Sequence, residues 1–364
     1  MTQGRVPGVT PPSRTNRNER RRRSRRVEAI VTAAVVVLAG FYAWTRTGAG
    51  PAATPTPPAA GASVSPSRPA DLAVLSITGG SGPMIVIVGT VGIPVAIALP
   101  ERLLQVVPGM GETTLDTLGQ LNGPTVRVGV SNTLGVWVRH YGVASVQSLA
   151  KAVTSAGGLA VDLGRAFKAN GAVVGPGKVT LTGMQVIAYL TGPKAEVASR
   201  WRVFTTALLR QHFPLSSASL VDTNDAAAVS RLLASARGAT PTVLPVSDVG
   251  GLVQAPDFGA IDVLARTLLG STVTPTPVIV QNGNGVPGVG AIVAKRLIPA
   301  GFRVVISANA PSFDVLRTSI MALGATTAGA AGRARRALGV GKVAVSSVPS
   351  GVADVKIIVG KDFK

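Results

Sequence analysis

Side chains able to do chemistry are scarce in this chain, and the scarcity narrows what it can do. None of its 364 residues is cysteine, which excludes disulfides and thiolate metal sites. The two histidines, His140 and His212, are far apart and lack partners at ligand spacing. That argues against a histidine-held metal and leaves no persuasive Ser/His/Asp order. No pair of carboxylates stands out for general acid–base work. Gly175-Pro176-Gly177-Lys178 lacks the leading glycine and the trailing Ser or Thr of a P-loop, and reads as a turn. What remains is glycine-rich backbone and arginine, the means of holding anions.

One glycine motif matches a known pattern literally. Gly283-Asn284-Gly285-Val286-Pro287-Gly288 has the form GxGxxG, after a strand-like Pro277–Gln281 and before a helical stretch that ends near Gly301. The next strand, Phe302–Ile306, runs into Ser307-Ala308-Asn309 without the acid that would hold a ribose. A module of ~85 residues is also too short for a dinucleotide fold. The glycines therefore read as a turn at positive φ, with Pro287 preset for the first helical turn. The N–H groups of the helix start suit a phosphate or carboxylate, which makes Asn282, Gly283, Asn284, Gly285 and Gly288 the candidate binding loop of this module.

Charge is unevenly spread. The formal net charge is +20, and residues 1–26 contribute +8 of it through nine arginines against Glu19. Such an arm suits nucleic acid, but it directly precedes Val27–Trp44, an apolar stretch broken only by Glu28 and Thr32. Eighteen residues just span a bilayer, and the arginines place the N-terminus in the cytoplasm and the remainder outside. The arm is then a topology signal and not a DNA-binding element. A cleaved signal peptide is the rival reading, with Gly48-Ala49-Gly50 as a weak site.

The expected organisation follows: a basic arm at 1–26, a transmembrane anchor at 27–45 and a Pro/Ala/Thr-rich linker at 46–70 that cannot bury a core. A first folded domain covers 71–270, a second linker 271–277, and a last module 278–364. The abundance of Ala, Val and Gly with few aromatics is of actinobacterial style.

The first folded domain reads as mixed α/β. Leu72–Ile77, Met84–Val88, Val95–Leu99 and Val126–Val130 look like strands. Ser145–Ala156 has Val146, Leu149 and Val153 on one face and stops at Gly157-Gly158, as a helix does. Val197, Trp201, Phe204 and Leu208 mark another helix. Asp225 suits the cap of a third, and a fourth is expected from Asp257 to Leu269.

Two ordered resemblances lie on these elements. The strand ending in Asn282-Gly283, the exit Leu297-x-x-x-Gly301-Phe302-x-Val304, Thr318-x-Ile320 and the terminal Val359-Gly360-Lys361-Asp362 resemble the C-terminal domain of LytR-type cell-envelope proteins. Ile97–Arg102 with Val106–Gly111, Arg139-His140-Tyr141, Leu159–Asp162 and Leu181–Leu190 are similar to the catalytic domain of the LytR-CpsA-Psr family. Together they imply an α/β LytR-CpsA-Psr-like domain and a small α/β LytR C-terminal domain behind a single N-terminal transmembrane helix.

That family's enzymes move glycopolymers from polyprenyl-pyrophosphate carriers to peptidoglycan, with arginines on the pyrophosphate and acids on a divalent metal. The chain departs from the pattern at those positions. The expected Arg-Asp reads Glu101-Arg102, the early metal-binding Asp falls on Gly82-Pro83, the arginines after Tyr189 become Thr191-Gly192-Pro193-Lys194, and Val203 replaces the second arginine after Arg200. The resemblance therefore implies a non-catalytic pseudoenzyme with no cofactor, acting in wall-polymer attachment, scaffolding or envelope integrity. Its expected partners are the membrane, wall polymer, polyprenyl lipid or active enzymes of the family, and not nucleic acid. The alternative is an active phosphotransferase using Mg2+, in which Arg102 and Arg200 converge on a cavity with Glu101 or Asp116. Arg102, Arg139, Arg200 and Arg202 are the candidate anion contacts, and Glu101 the candidate metal ligand if activity survives.

Overall fold

Continuous apolar strands need cover on both faces, and the larger sheet has it. In the computed structural model, which describes residues 70–211, 215, 217–250 and 253–364, β1 (Asp71–Thr78), β2 (Met84–Thr90) and β3 (Pro94–Ala98) form an antiparallel meander. A small hairpin follows, β4 (Leu104–Val107) and β5 (Gly111–Thr114), then a single turn Leu115–Leu118 and helix α1 (Gly123–Leu134). Strand β6 (His140–Ser145) returns parallel to β1, and α2 (Val146–Ser155) leaves from its end.

Two short antiparallel pairs come next. Strand β7 (Leu159–Leu163) pairs with β10 (Gly177–Leu181), and β8 (Phe167–Ala169) with β9 (Ala172–Val174). Helices α3 (Gly183–Leu190) and α4 (Val197–Arg210) follow, then β11 (Asp222–Thr223), α5 (Ala226–Ser235) and β12 (Thr242–Val243). A last hairpin, β13 (Val246–Asp248) with β14 (Gln254–Pro256), leads into α6 (Phe258–Leu269). The large sheet has the order β11-β6-β1-β2-β3-β12.

The period of two sends alternate side chains to two cores. Ala73, Leu75 and Ile77 of β1 face α2, α3, α4 and α5, whereas Leu72 and Val74 face α1 and α6. Helix starts follow local chemistry. The Ser145 hydroxyl and Ser148 form a capping box for α2, and the Asp225 and Asp257 carboxylates accept N–H bonds from Ala228 and Ala260 to open α5 and α6.

One expected strand is a helix. Val126–Val130 lies inside α1, which starts at the Asn122 cap with Pro124 in its first turn. Val126 and Val130 pack on the large sheet's core while Val128 joins the core of the C-terminal module. A helix buried on opposite sides produces an alternation that imitates a strand.

The C-terminal module starts at β15 (Thr276–Asn282) and continues through α7 (Val289–Leu297), β16 (Phe302–Asn309), β17 (Ser319–Leu323), α8 (Ala328–Leu338), β18 (Lys342–Ser346) and β19 (Val355–Val359). Its sheet order is β16-β15-β19-β17-β18, with only β17 and β19 antiparallel. Pro287 lies before the helix and not in its first turn, because Gly288 at φ 75° is the N-cap.

The module docks through its edge strand β16. The Asn132 amide of α1 donates to Val304 O (2.8 Å) and Val106 O (3.0 Å) and accepts from Val304 N–H (2.8 Å), so one side chain satisfies an otherwise open strand edge. Arg303, 2% exposed, donates to Asp262 of α6 at 2.7 Å and to Asn132 O at 3.3 Å, and its guanidinium lies 4.4 Å from the Phe258 ring centre. The expected linker at 271–277 is short and tied down: Arg266 bonds Thr274 and Thr276 N–H bonds Gly301 O. The arginine arm and Val27–Trp44 lie outside the described residues. Among the described residues no helix is long and apolar enough to cross a membrane.

Candidate functional site

The family-like motifs meet at one end of the large sheet, where β1 turns into β2 and β3 ends. Glu101 and Arg102 follow β3, Asp116 sits in the Leu115–Leu118 turn, and Lys194 begins the 3-10 turn Lys194–Glu196. The other three charges act on Glu101. Burial is the main cause pushing the Glu101 carboxyl above its ordinary value of 4.5, with Asp116 adding to the rise and Arg102 and Lys194 opposing it. Charges from three separate segments thus act on Glu101, whereas Arg200, expected to converge with Arg102, is bonded to Glu196 and the Tyr189 carbonyl.

Two neighbouring positions are filled by packing. Pro83 occupies the place of the expected early acid, and it seats against Gly119 so closely that a Cβ there would collide with its ring. Arg200 is 8% exposed and makes three hydrogen bonds inside the domain. Its Nη2 and Nε donate to Glu196 at 2.8 and 3.0 Å, and its Nη1 donates to Tyr189 O at 2.7 Å. The guanidinium also lies 5.1 Å from the Tyr189 ring centre and 5.9 Å from that of Phe167. Gly192 covers it, since any side chain there would overlap Nη1, and Gly192 O accepts the Ser81 hydroxyl. The Tyr189 hydroxyl is raised chiefly by burial, with Arg200 lowering it and Glu196 raising it.

The other candidate arginines are elsewhere. Arg202 is exposed, two residues from Arg200 and therefore on another side of α4. Arg139 is exposed just before β6, whose start pairs with Ala73 and whose end pairs with Thr78, so it stands at the opposite end of the sheet from Arg102. Of the four expected anion contacts, only Arg102 joins Glu101 with its side chain accessible.

A divalent ion held by one or two carboxylates together with ligand phosphates would use Glu101 and Asp116 here. Among the described residues no group of three or more His, Asp or Glu side chains gathers as a metal site.

The glycine loop lies at the C-terminal ends of the parallel strands β15 and β16. Asn282 Oδ1 accepts N–H bonds from Asn284 (3.2 Å) and Gly285 (3.0 Å), its Nδ2 donates to Val286 O, and Asn284 Oδ1 accepts from Val286 N–H. Asn282, Gly288, Val289 and Gly290 line a cavity of about 120 Å3 with Ser307–Asn309 and Gly109-Met110 of the larger domain. Gly109 N–H donates to Ser307 Oγ at 2.8 Å, and a Cβ on Gly290 would fall 2.5 Å from Gly109 N. The side-chain amide oxygens of Asn282 and Asn284 are occupied by the turn itself, and the cavity is small and has no charged side chain in its wall. Sequence reasoning did not place Gly109-Met110 against this loop, because the contact spans the two parts of the chain.

Residues 276–363 match the family described as LytR cell envelope-related transcriptional attenuator. No curated protein sequence matches the chain. Among solved structures, Bacillus subtilis TagV aligns at 15% identity and TM-score 0.46, covering 56% of this chain and 98% of that one. The LytR-CPS2A-psr family protein YwtF (TagT) with bound octaprenyl pyrophosphate lipid aligns at 14% identity and TM-score 0.44, covering 58% and 94%. A LytR-Csp2A-Psr enzyme from Actinomyces oris aligns at 20% identity and TM-score 0.41, covering 55% and 89%.

Proposed function

We propose that this chain, which carries a LytR-type C-terminal domain at residues 276–363, is a membrane-anchored, extracytoplasmic cell-envelope protein. In this reading it is non-catalytic and acts in wall-polymer attachment, scaffolding or envelope integrity. The observation that carries it is the commitment of Arg200, which the family resemblance puts on a pyrophosphate and which here satisfies Glu196 and the Tyr189 carbonyl inside the domain. With its Nε–Nη2 fork on Glu196, its Nη1 on a carbonyl and only 8% of its surface exposed, this guanidinium is poorly placed to clamp a phosphate. Pro83 at the position of the expected acid supports the same conclusion.

The second reading, an active phosphotransferase, is favoured by the charges of Asp116, Arg102 and Lys194 that act on Glu101. In that case Arg102 and Lys194 would hold the lipid pyrophosphate and the two acids a magnesium ion, whose chemistry would be to offset charge on the transferred phosphoryl group. The deciding experiment incubates the full chain in detergent with a polyprenyl-pyrophosphate-linked glycan, peptidoglycan oligomers and Mg2+. We expect no transfer. Transfer that disappears in Glu101→Gln would establish the second reading instead.

A further inference from the structure

The C-terminal module holds most of the folded region's charge excess. Residues 276–364 contain eleven Lys and Arg against three Asp, while 70–275, more than twice as long, contain fourteen against eleven acids. Several of the module's cations have internal roles. Arg303 pairs with Asp262, Lys361 with Asp314, and Arg296 donates to the carbonyls of Leu338 and Lys364. Three do not. The side chains of Arg317, Arg335 and Lys342 are exposed, and none forms a hydrogen bond or ion pair with a described residue.

Those three cations come from separate elements yet line one cleft. Arg317 precedes β17, Arg335 is in the last turn of α8 and Lys342 opens β18; with Gly341, Val343 and Asp362 they enclose about 520 Å3. Arg335 also offsets the negative end of α8, but that explains neither Arg317 nor Lys342. The acid in the cleft is already in use: Asp362 Oδ1 accepts both the N–H and the hydroxyl of Thr318, each at 2.7 Å. Thr318 Oγ1 in turn accepts Gly360 N–H at 3.0 Å. Thr318, 1% exposed, holds Asp362 from beneath the cleft.

We infer that the cleft formed by Arg317, Arg335 and Lys342 binds phosphate groups along an anionic polymer. Two guanidinium forks suit the paired oxygens of a phosphodiester, and the lysine adds a point charge. The volume exceeds what one phosphate fills, and the cleft opens to solvent, as a repeating chain requires. This deepens the envelope reading and rests on it for the source of the polymer, though not for the cleft.

The test is hydrogen–deuterium exchange on the full chain with and without a synthetic poly(glycerol phosphate), which reads the cleft separately from the arginine arm at 1–26. Peptides spanning 315–319, 339–343 and 360–363 should exchange about fivefold more slowly with the probe bound. Arg317→Gln/Arg335→Gln/Lys342→Gln should abolish that protection, with an unchanged thermal melt as the check on folding. Lys151→Gln/Arg165→Gln/Lys168→Gln, which removes equal charge from exposed sites on the larger domain, should leave it in place. Protection confined to 1–26, equal loss in both triple variants, or equal protection by polyglutamate of matched length would each overturn the proposal. Glycan transfer in the assay above would overturn the non-catalytic reading alone and leave the cleft result standing.

Discussion

Arg200 and Arg317 bring the same guanidinium into opposite surroundings. Arg200 is closed in by Glu196, the Tyr189 carbonyl and two aromatic rings, beneath a glycine that leaves room for nothing else. Arg317 opens on a cleft whose one carboxylate is tied to Thr318. The larger domain thus uses its conspicuous arginine to hold itself together, whereas the C-terminal module keeps three cations of one cleft available. Whether an arginine binds a ligand depends on what already accepts from its five N–H groups, and residue type alone does not report that.

The largest loss is expected for Arg303→Leu, which strands the buried Asp262 carboxylate; about 3–5 kcal/mol should disappear in a urea titration. A loss below ~1 kcal/mol would mean that the module does not depend on that pair for docking. Asn132→Leu comes next, at about 2–3 kcal/mol, because it leaves Val304 N–H and two carbonyls without partners in a buried seam. Arg200→Met should cost about 1–2 kcal/mol, discounted because Glu196 can turn to water, and should leave exchange protection of the 339–343 peptide unaltered.

Glu101→Gln tests the charged cluster through pH. Its carboxyl is raised in the fold, so the folded state binds its proton more tightly than the unfolded chain does. That contribution falls as pH rises from the ordinary value of 4.5 through the folded value. The glutamine variant should lose this decline, and its stability profile above pH 4.5 should be flatter than that of the parent; parallel profiles would remove burial as the cause. The smallest effect is expected for Arg317→Gln/Arg335→Gln, whose stability should stay within ~0.5 kcal/mol of the parent in the same titration. A cost matching that of Arg200→Met would erase the contrast between the two regions.

Much of the fold was legible locally. Ser145, Asp225 and Asp257 announce helix starts because a short polar side chain can bond the free N–H groups of a first turn. Leu72–Ile77 and Met84–Val88 read as strands because an uninterrupted apolar run is what a sheet covered on both faces requires. Val126–Val130 misleads for a related reason, since α1 is covered on two sides by different parts of the chain. The candidate site divides in the same way. Glu101, Arg102 and Asp116 lie close enough in sequence to be suspected together, whereas Arg139 is separated from them by the length of a strand that only the sheet register reveals.

By itself the sequence determined most element types, though not that of Val126–Val130, together with the absence of thiol chemistry, the glycine turn at Asn282–Gly288 and the excess of cations after Thr276. Those are properties of single residues and of their neighbours within a turn or two. The tertiary structure alone decided that Arg200 faces inward onto Glu196, that Asn132 closes the edge of β16, and that Arg317, Arg335 and Lys342 share a cleft. Each of these depends on segments brought together by burying apolar surface, which is non-directional. Which polar groups then meet, and which are left facing water, is set by the packing.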